Sequence, residues 1–337
     1  MSVSCYVLIH QRETRALIKA FVADNDRLRV VDDLAANKDS IVWADLLCPT
    51  KEEEATIEDW IGVGIPTREE MEEIEISSRL YVENGVYFMT ATLPAHADGD
   101  HPVMSPVTFV LAGNRLITVR YHEPRAFQTF PMRAEKADTG CNTGETILIA
   151  LLEAIVDRLA DVLERASNEV IQISHDIFHP SEKKASKRDR DFQLILRRIG
   201  GKEDLVSKIR DSLLTLQRMS GFLANATGQG KDSRARVKTI SRDVMSLSDH
   251  VSFQTQKITF LLDATLGMIN IEQNGIIKIV SVAAVVFLPP TLVASIYGMN
   301  FEAMPELKWL LGYPFAIALM VVSAVLPFWF FRRKGWL

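Results

Sequence analysis

Two uncharged apolar runs near the C-terminal end limit what this chain can fold into more than any other feature. The first, residues 279–297, reads IVSVAAVVFLPPTLVASIY and has no ionisable side chain before its closing tyrosine. At 1.5 Å rise per residue such a helix reaches about 28 Å, close to a bilayer core of about 30 Å. The second, residues 313–331, reads YPFAIALMVVSAVLPFWFF; it is equally uncharged, with aromatic rings at its ends as at a membrane interface. Both are expected to be transmembrane helices. Arg332, Arg333 and Lys334 follow directly, and basic residues stay on the cytoplasmic side. Two spans return the chain to the side it left. Both termini are therefore expected in the cytoplasm, and the loop between the spans outside.

The rest of the chain differs in kind. Most charges precede residue 278, and the net charge of −5 argues against a general nucleic-acid binder. The N-terminal MSVSCYVLIHQRE has no basic stretch ahead of an apolar one, so no signal peptide is expected. Cys5, Cys48 and Cys141 are widely separated and odd in number, and no disulfide framework or zinc spacing can be read from them.

Residues 1–143 read as an α/β cytoplasmic domain. CYVLIH, SIVWADLL, GVYFMTATL, PVTFVLAG and RLITVRY have the short, β-branched or aromatic character of strands. TKEEEATIEDWIG and TREEMEEIEIS read as helices with Thr50 and Thr67 as N-caps. From 51 to 75 ten acids face two bases, a solvated face or a cation or partner surface. Residues 144–232 carry apolar residues at helical spacing and read as a helical hairpin region. From 233 no strong breaker appears until Pro289, which predicts one stalk helix over 233–298 that continues into the first span, roughly 95–100 Å long. Residues 299–312 form the outer loop, and 332–337 a basic tail. The fold class expected is an α/β domain plus a long helical stalk and two transmembrane helices.

Chemistry-bearing clusters are few. His175 and His179 share a helix face at i, i+4, but no glutamate completes a metalloprotease HExxH. HADGDH, from His96 to His101, reads first as a polar hairpin loop and second as a metal site. No P-loop, dinucleotide fingerprint or nucleophile elbow is present, so no enzyme is expected.

The first span points to transport instead. Pro289 and Pro290 lack N–H groups, which frees carbonyls of the preceding turn, and freed carbonyls at membrane depth must face protein or water. Two helices cannot enclose a pore, so several copies must form a ring with one helix each at its centre. A pore without charged side chains cannot compensate a stripped divalent ion. Mg2+ gives up its waters reluctantly, so it would enter hydrated. Asn300, next to the end of the lining helix, offers one carbonyl oxygen per subunit to those waters.

These residues carry a resemblance. YGMNFEAMPEL resembles the signature loop of the CorA magnesium transporters: Gly298-Met299-Asn300 is similar to the GMN motif, and Met304-Pro305-Glu306-Leu307 to its MPEL extension. FLPPTLVASIYGMN, INIEQNGIIKI and FRRKGWL are also similar, particularly to the proteobacterial branch. The resemblance implies a funnel-shaped homopentamer of the inner membrane that takes up Mg2+, with Co2+ and Ni2+ as secondary ions. It implies an outer selectivity ring at Gly298, Met299 and Asn300. It also implies pore positions at Thr291, Leu288, Val280, Asn274 and Asp263, with Leu288 and Val280 as apolar constrictions. Regulatory Mg2+ held between subunits by carboxylates favours closure in that family, and Glu73 and Asp243 are the candidates here. Glu302 and Glu306 of the outer loop concentrate cations or cap the loop. Arg332, Arg333 and Lys334 fit the family's basic collar, whereas the helix tip SEKKASKRDRD departs from it by leaning basic. The competing readings are a zinc transporter of the same superfamily, whose outer motif differs from GMN, and a membrane-anchored ion-sensing scaffold.

Overall fold

The computed structural model describes residues 18–99, 102–179, 185–225, 230–299 and 309–335. Strands β1 (Ile18–Asp24) and β2 (Arg27–Val31) form a hairpin. Its two turn residues, Asn25 and Asp26, have φ of 52° and 64°. That left-handed pair matches the right-handed twist of the flanking strands. β3 (Ile41–Leu47) pairs antiparallel with β1 and parallel with β7 (Arg115–Arg120). β4 (Leu80–Glu83), β5 (Val86–Ala95), β6 (Val103–Ala112) and β7 make an antiparallel meander, with Asn84-Gly85 as the first turn. The resulting order is β2-β1-β3-β7-β6-β5-β4.

Every residue of β3 is buried, which is why IVWADLL is one continuous apolar run broken by a single acid. Alternate residues go to opposite faces. Ala44 and Leu46 join Ile57 of α1 (Lys51–Ile61) and Met71 of α2 (Arg68–Glu72) in one cluster. Trp43 goes to the other face, where Phe21 stacks on it at 4.4 Å and Phe130 of α4 (Ala126–Lys136) meets it at 5.8 Å. A short α3 (Ile76–Arg79) leads into β4. Thr50 and Thr67 cap α1 and α2 as expected, each in a capping box closed by Glu53 or Glu70.

The acid in β3 has a partner. Asp45 receives Nη2 and Nε of Arg120 at 2.8 and 3.0 Å, and the Thr118 hydroxyl at 2.8 Å. Arg120 spends a third N–H on the His122 carbonyl and lies over the Phe127 ring. Both charged side chains are 3% exposed. Their hydrogen bonds are filled, so the pair links the two parallel strands at the sheet's centre.

Four long helices follow. α5 (Gly144–Phe178) starts against the β6–β7 turn, where Gly144 donates to the Asn114 carbonyl at 2.8 Å. A Cβ there would run into the main chain of Arg115, so glycine permits this close approach. α6 (Ala185–Asn225) and the 67-residue α7 (Lys231–Tyr297) come next, then α8 (Gly312–Arg333). Along α7 the buried positions Val237, Ile240, Val244, Val251, Gln254, Ile258 and Leu261 keep a three–four spacing, the seam of helix-on-helix packing. Arg236 clasps Glu153 of α5 at 2.7 and 2.9 Å. The chain divides into two units: one holds the sheet, α1–α5, most of α6 and α7 up to Leu261; the other holds α7 from Leu262, and α8.

The strands anticipated at SIVWADLL, GVYFMTATL, PVTFVLAG and RLITVRY are present as β3, β5, β6 and β7. CYVLIH lies outside the described residues. β1, β2 and β4 were not anticipated. Cys141 is free and buried.

Removing one partner of a filled, buried ion pair leaves the other charge unpaired. Asp45→Ala is expected to destabilise the first unit by about 3–5 kcal/mol. Unfolding of the detergent-solubilised chain, followed by near-ultraviolet circular dichroism, should show this. The double replacement Asp45→Leu/Arg120→Met should cost less than Asp45→Ala alone.

Candidate functional site

The spanning part of α7 is one-sided. At 100° per residue, Val280, Leu288 and Thr291 fall within an arc of about 120°, together with Ser281, Ala284 and Ser295. All six are exposed. The withdrawn positions Val282, Val286, Pro289, Pro290, Val293 and Tyr297 form a stripe on the opposite side. α8 has its own withdrawn stripe, including Gly312, Ala316, Met320, Ser323 and Pro327, and small residues there allow close approach between spans. Each span is thus covered along one line within the unit and open elsewhere.

The open face carries oxygen without charge. Thr291 donates its hydroxyl to the Phe287 carbonyl at 2.7 Å, so its hydrogen is committed and its lone pairs face outward. Pro289 and Pro290 sit inside the helix and cannot donate to the carbonyls of Val285 and Val286. At the end of the helix, Gly298 donates to the Ala294 carbonyl at 2.9 Å and Met299 to the Ile296 carbonyl at 3.3 Å. A side chain at 298 would press on the Ala294 carbonyl. Gly298 and Met299 are therefore the turn that ends the span. Asn300, Glu302 and Glu306 lie outside the described residues.

Farther from the Gly298 turn, Asp263 and Asn274 continue the same arc and are exposed. Glu73 is the C-cap of α2 and is exposed; its carbonyl accepts from Arg79 Nε at 2.5 Å. Asp243 is exposed on α7. Burial chiefly raises the pKa of Asp157 on α5, and Asp243 is among the carboxylates that add to the rise. Among the described residues no group of three or more His, Cys, Asp or Glu could hold a metal within one chain. Arg332 and Arg333 occupy the last turn of α8, where cations suit the helix dipole. Arg333 lies over the Trp329 ring at 5.5 Å, and Lys334 over the Phe330 ring at 6.0 Å.

The other polar clusters go to structure. His175 and His179 lie with ring centroids 4.9 Å apart and planes tilted by 40°, and neither is part of a metal-holding group among the described residues. The HADG of HADGDH, from His96 to Gly99, follows β5 in its connection to β6; Asp100 and His101 lie outside the described residues. Asp98 in that loop is held by Arg125 at 2.6 Å, Arg158 at 2.5 Å and Arg165. Burial pushes its pKa up, but the hydrogen bonds from the three arginines outweigh it and hold the carboxyl below its usual range. Sequence reasoning missed this clamp because its arginines lie 27 to 67 positions away along the chain.

The fold and this face define a two-span membrane protein whose first span offers a neutral, hydroxyl-bearing surface, joined to a large α/β and helical part. The chain belongs to the CorA-like Mg2+ transporter protein family, whose model matches residues 38–333. It is 36% identical over 322 residues to a magnesium transport protein CorA of Haemophilus influenzae, covering 95% of this chain and 100% of the relative. It is 37% identical over 327 residues to that of Pectobacterium atrosepticum, with the same coverage. Its fold is similar to the complete CorA magnesium transporter from Methanocaldococcus jannaschii, with a TM-score of 0.73 at 19% identity over 96% of this chain and 100% of that one. The cytoplasmic domain of ZntB from Vibrio parahaemolyticus is less similar, at 0.55 and 10% identity over 76% of this chain and 99% of that one.

The Asp98 clamp generates a pH prediction. A carboxylate whose pKa is depressed by folding contributes stability above its unfolded pKa, and this is lost as pH falls towards the folded value. The melting temperature of the wild type should exceed that of Asp98→Asn at neutral pH. The gap should narrow steadily below about pH 4, the usual aspartate value. A gap that stays constant down to about pH 2 would show that the carboxylate charge is not what holds the loop.

Proposed function

We propose that this chain forms a homopentameric channel that conducts hydrated Mg2+ inward across the bacterial inner membrane. Both termini are cytoplasmic in this reading. Its main support is the uncharged open face of α7 between 279 and 297. A face with neutral oxygens and no carboxylate suits an ion that keeps its waters. A bare divalent ion in such a path would meet no compensating charge. The Asn300 ring, beyond the turn at Gly298 and Met299, reads the hydrated ion at the outer mouth. The C-terminal ends of five such helices add partial negative charge there, which favours cations over anions. Thr291 continues the oxygen path, Leu288 and Val280 form apolar constrictions that close by dewetting, and Asn274 and Asp263 line the inner vestibule. Membrane voltage supplies about 2.3 kcal/mol per charge per 100 mV, so roughly twice that for a divalent ion.

Self-association has further support in the exposed large side chains of α7. Met245, Phe253 and Phe260 are each about 60% exposed on a helix otherwise packed along a regular seam. Copies of the chain would cover them. Glu73 and Asp243 bind regulatory Mg2+ across subunit boundaries in this reading. Their exposure, and the lack of a metal-holding group within one chain among the described residues, fit a site completed by a neighbour. Ion binding there favours the closed arrangement by linkage. The collar of Arg332, Arg333 and Lys334 sits at the cytoplasmic interface. Co2+ and Ni2+ follow the same path as secondary cargo.

Proteoliposomes test this directly. Wild-type protein should give voltage-driven Mg2+ influx without a proton gradient. Asn300→Ala should reduce it at least tenfold while leaving membrane insertion intact. Wild-type flux in Asn300→Ala would sink the pore assignment. Zn2+ flux that requires a proton gradient would favour the zinc-transporter reading, and no flux of any ion would favour the scaffold.

A further inference from the structure

α6 carries two consecutive glycines, Gly200 and Gly201, in its interior. No close approach asks for them. Both are exposed, and a Cβ built on either meets nothing within 4 Å among the described residues. Neither has the positive φ that would exclude another residue. Both lie in regular helix, where glycine loses more backbone freedom than alanine and offers no side chain to the turn. Alanine would fit and would hold the helix better. The pair is therefore a weak point that packing does not require.

The helix is held differently on its two sides. Beyond the pair, Leu205, Val206, Ile209, Leu213 and Leu216 are buried, and α6 is tied to the sheet. The Thr215 hydroxyl accepts from the Thr92 amide of β5 at 3.1 Å, and Lys208 donates to the Pro102 carbonyl beside β6 at 3.0 Å. The Phe222 ring meets Tyr87 of β5 edge-on at 6.2 Å. Ahead of the pair, from Leu194 to Ile199, only Ile195 and Ile199 are buried. Arg198 reaches Asp176 of α5 at 2.6 Å, but both side chains are 44% exposed, and ion pairs so open to water hold little. The boundary between the two units also crosses α6 here, between Gln193 and Leu194, about two turns ahead of Gly200.

We propose that Gly200 and Gly201 form a hinge in α6, at which the turns ahead of the pair bend away from α5 while the turns beyond it stay tied to the sheet. In an α-helix the amides of residues 201–205 donate to the carbonyls of residues 197–201, across the pair. Bending there breaks these bonds first and leaves the anchored turns intact. The opening is local, and it takes far less free energy than unfolding the unit. The hinge follows from α6 alone and does not depend on which ion the chain conducts.

The test is amide hydrogen exchange on the full-length protein in detergent, read by mass spectrometry with fragmentation to single residues. In the wild type, amides of 201–205 should exchange at least about tenfold faster than those of 206–213. Gly200→Ala and Gly201→Ala should each slow exchange at 201–205 about fivefold, and the double variant about 25-fold. Amides of 206–213 should keep their wild-type rates in all three. Gly221→Ala changes a single exposed glycine in the anchored part of α6 and should leave 201–205 unchanged. Exchange at 201–205 as slow as at 206–213 in the wild type would overturn the proposal. So would a rate that falls steadily from Leu194 to Leu213 with no maximum at the pair, the mark of a fraying helix start. Unchanged rates in the double alanine variant would overturn it as well, as would equal slowing by Gly221→Ala, which reports general stabilisation.

Discussion

The absence of charge on the spanning face of α7 is the constraint on which the rest depends. Lipid offers no hydrogen bonds, so a span must satisfy its own backbone or turn the unsatisfied part towards water or protein. Two consecutive prolines leave carbonyls of α7 without their usual donors. The hydroxyls on the same helix, Ser281, Thr291 and Ser295, lie on the side away from the withdrawn stripe. A lone chain in lipid would expose that side to hydrocarbon. The proposed assembly would remove the conflict, because a ring of copies would turn the oxygen-bearing face to water and leave the withdrawn stripe against the second span. In the proposed channel, the same lack of charge that permits insertion would limit the cargo to an ion that brings its own solvent.

How much of this could be read from the sequence followed from how local each signal is. The spans were legible because length and hydropathy are properties of one stretch of chain. The N-caps Thr50 and Thr67 were legible because a capping box is closed within four residues. β3 was legible because a strand buried on both faces is a continuous apolar run. β1, β2 and β4 were not picked out, although Asn25-Asp26 and Asn84-Gly85 are the turn pairs that two-residue hairpins favour. In β1 and β2 the lysine and arginines at exposed positions interrupt the apolar character, and β4 is four residues long.

The partners of charged groups were beyond sequence reasoning for a different reason. Arg120 and Asp45 lie 75 positions apart and become neighbours only because β3 and β7 pair in parallel after a long crossover. Asp98, in a loop that reads as a metal-binding candidate, acquires three arginines from α4 and α5. With those contacts filled, the carboxylate is engaged in tying a hairpin loop to helices. A carboxylate's role depends on what the fold brings to it, and spacing along the chain carries that information only when the partners are a turn or two away.

The long helix carries one constraint within each unit. From Val237 to Leu261 its buried positions keep a heptad-like seam, which fixes the face it turns to its packing partners, α5 among them through Arg236 and Glu153. From Leu262 to Tyr297 the helix is again unbroken, so one register decides which side chains share the open face. Residues are about 100° apart around the axis, so inserting a single residue between Asn274 and Val280 would carry Asn274 and Asp263 out of line with Leu288 and Thr291. The residues on that face are therefore not independent choices: each oxygen or apolar position holds its place only because the helix between them is continuous.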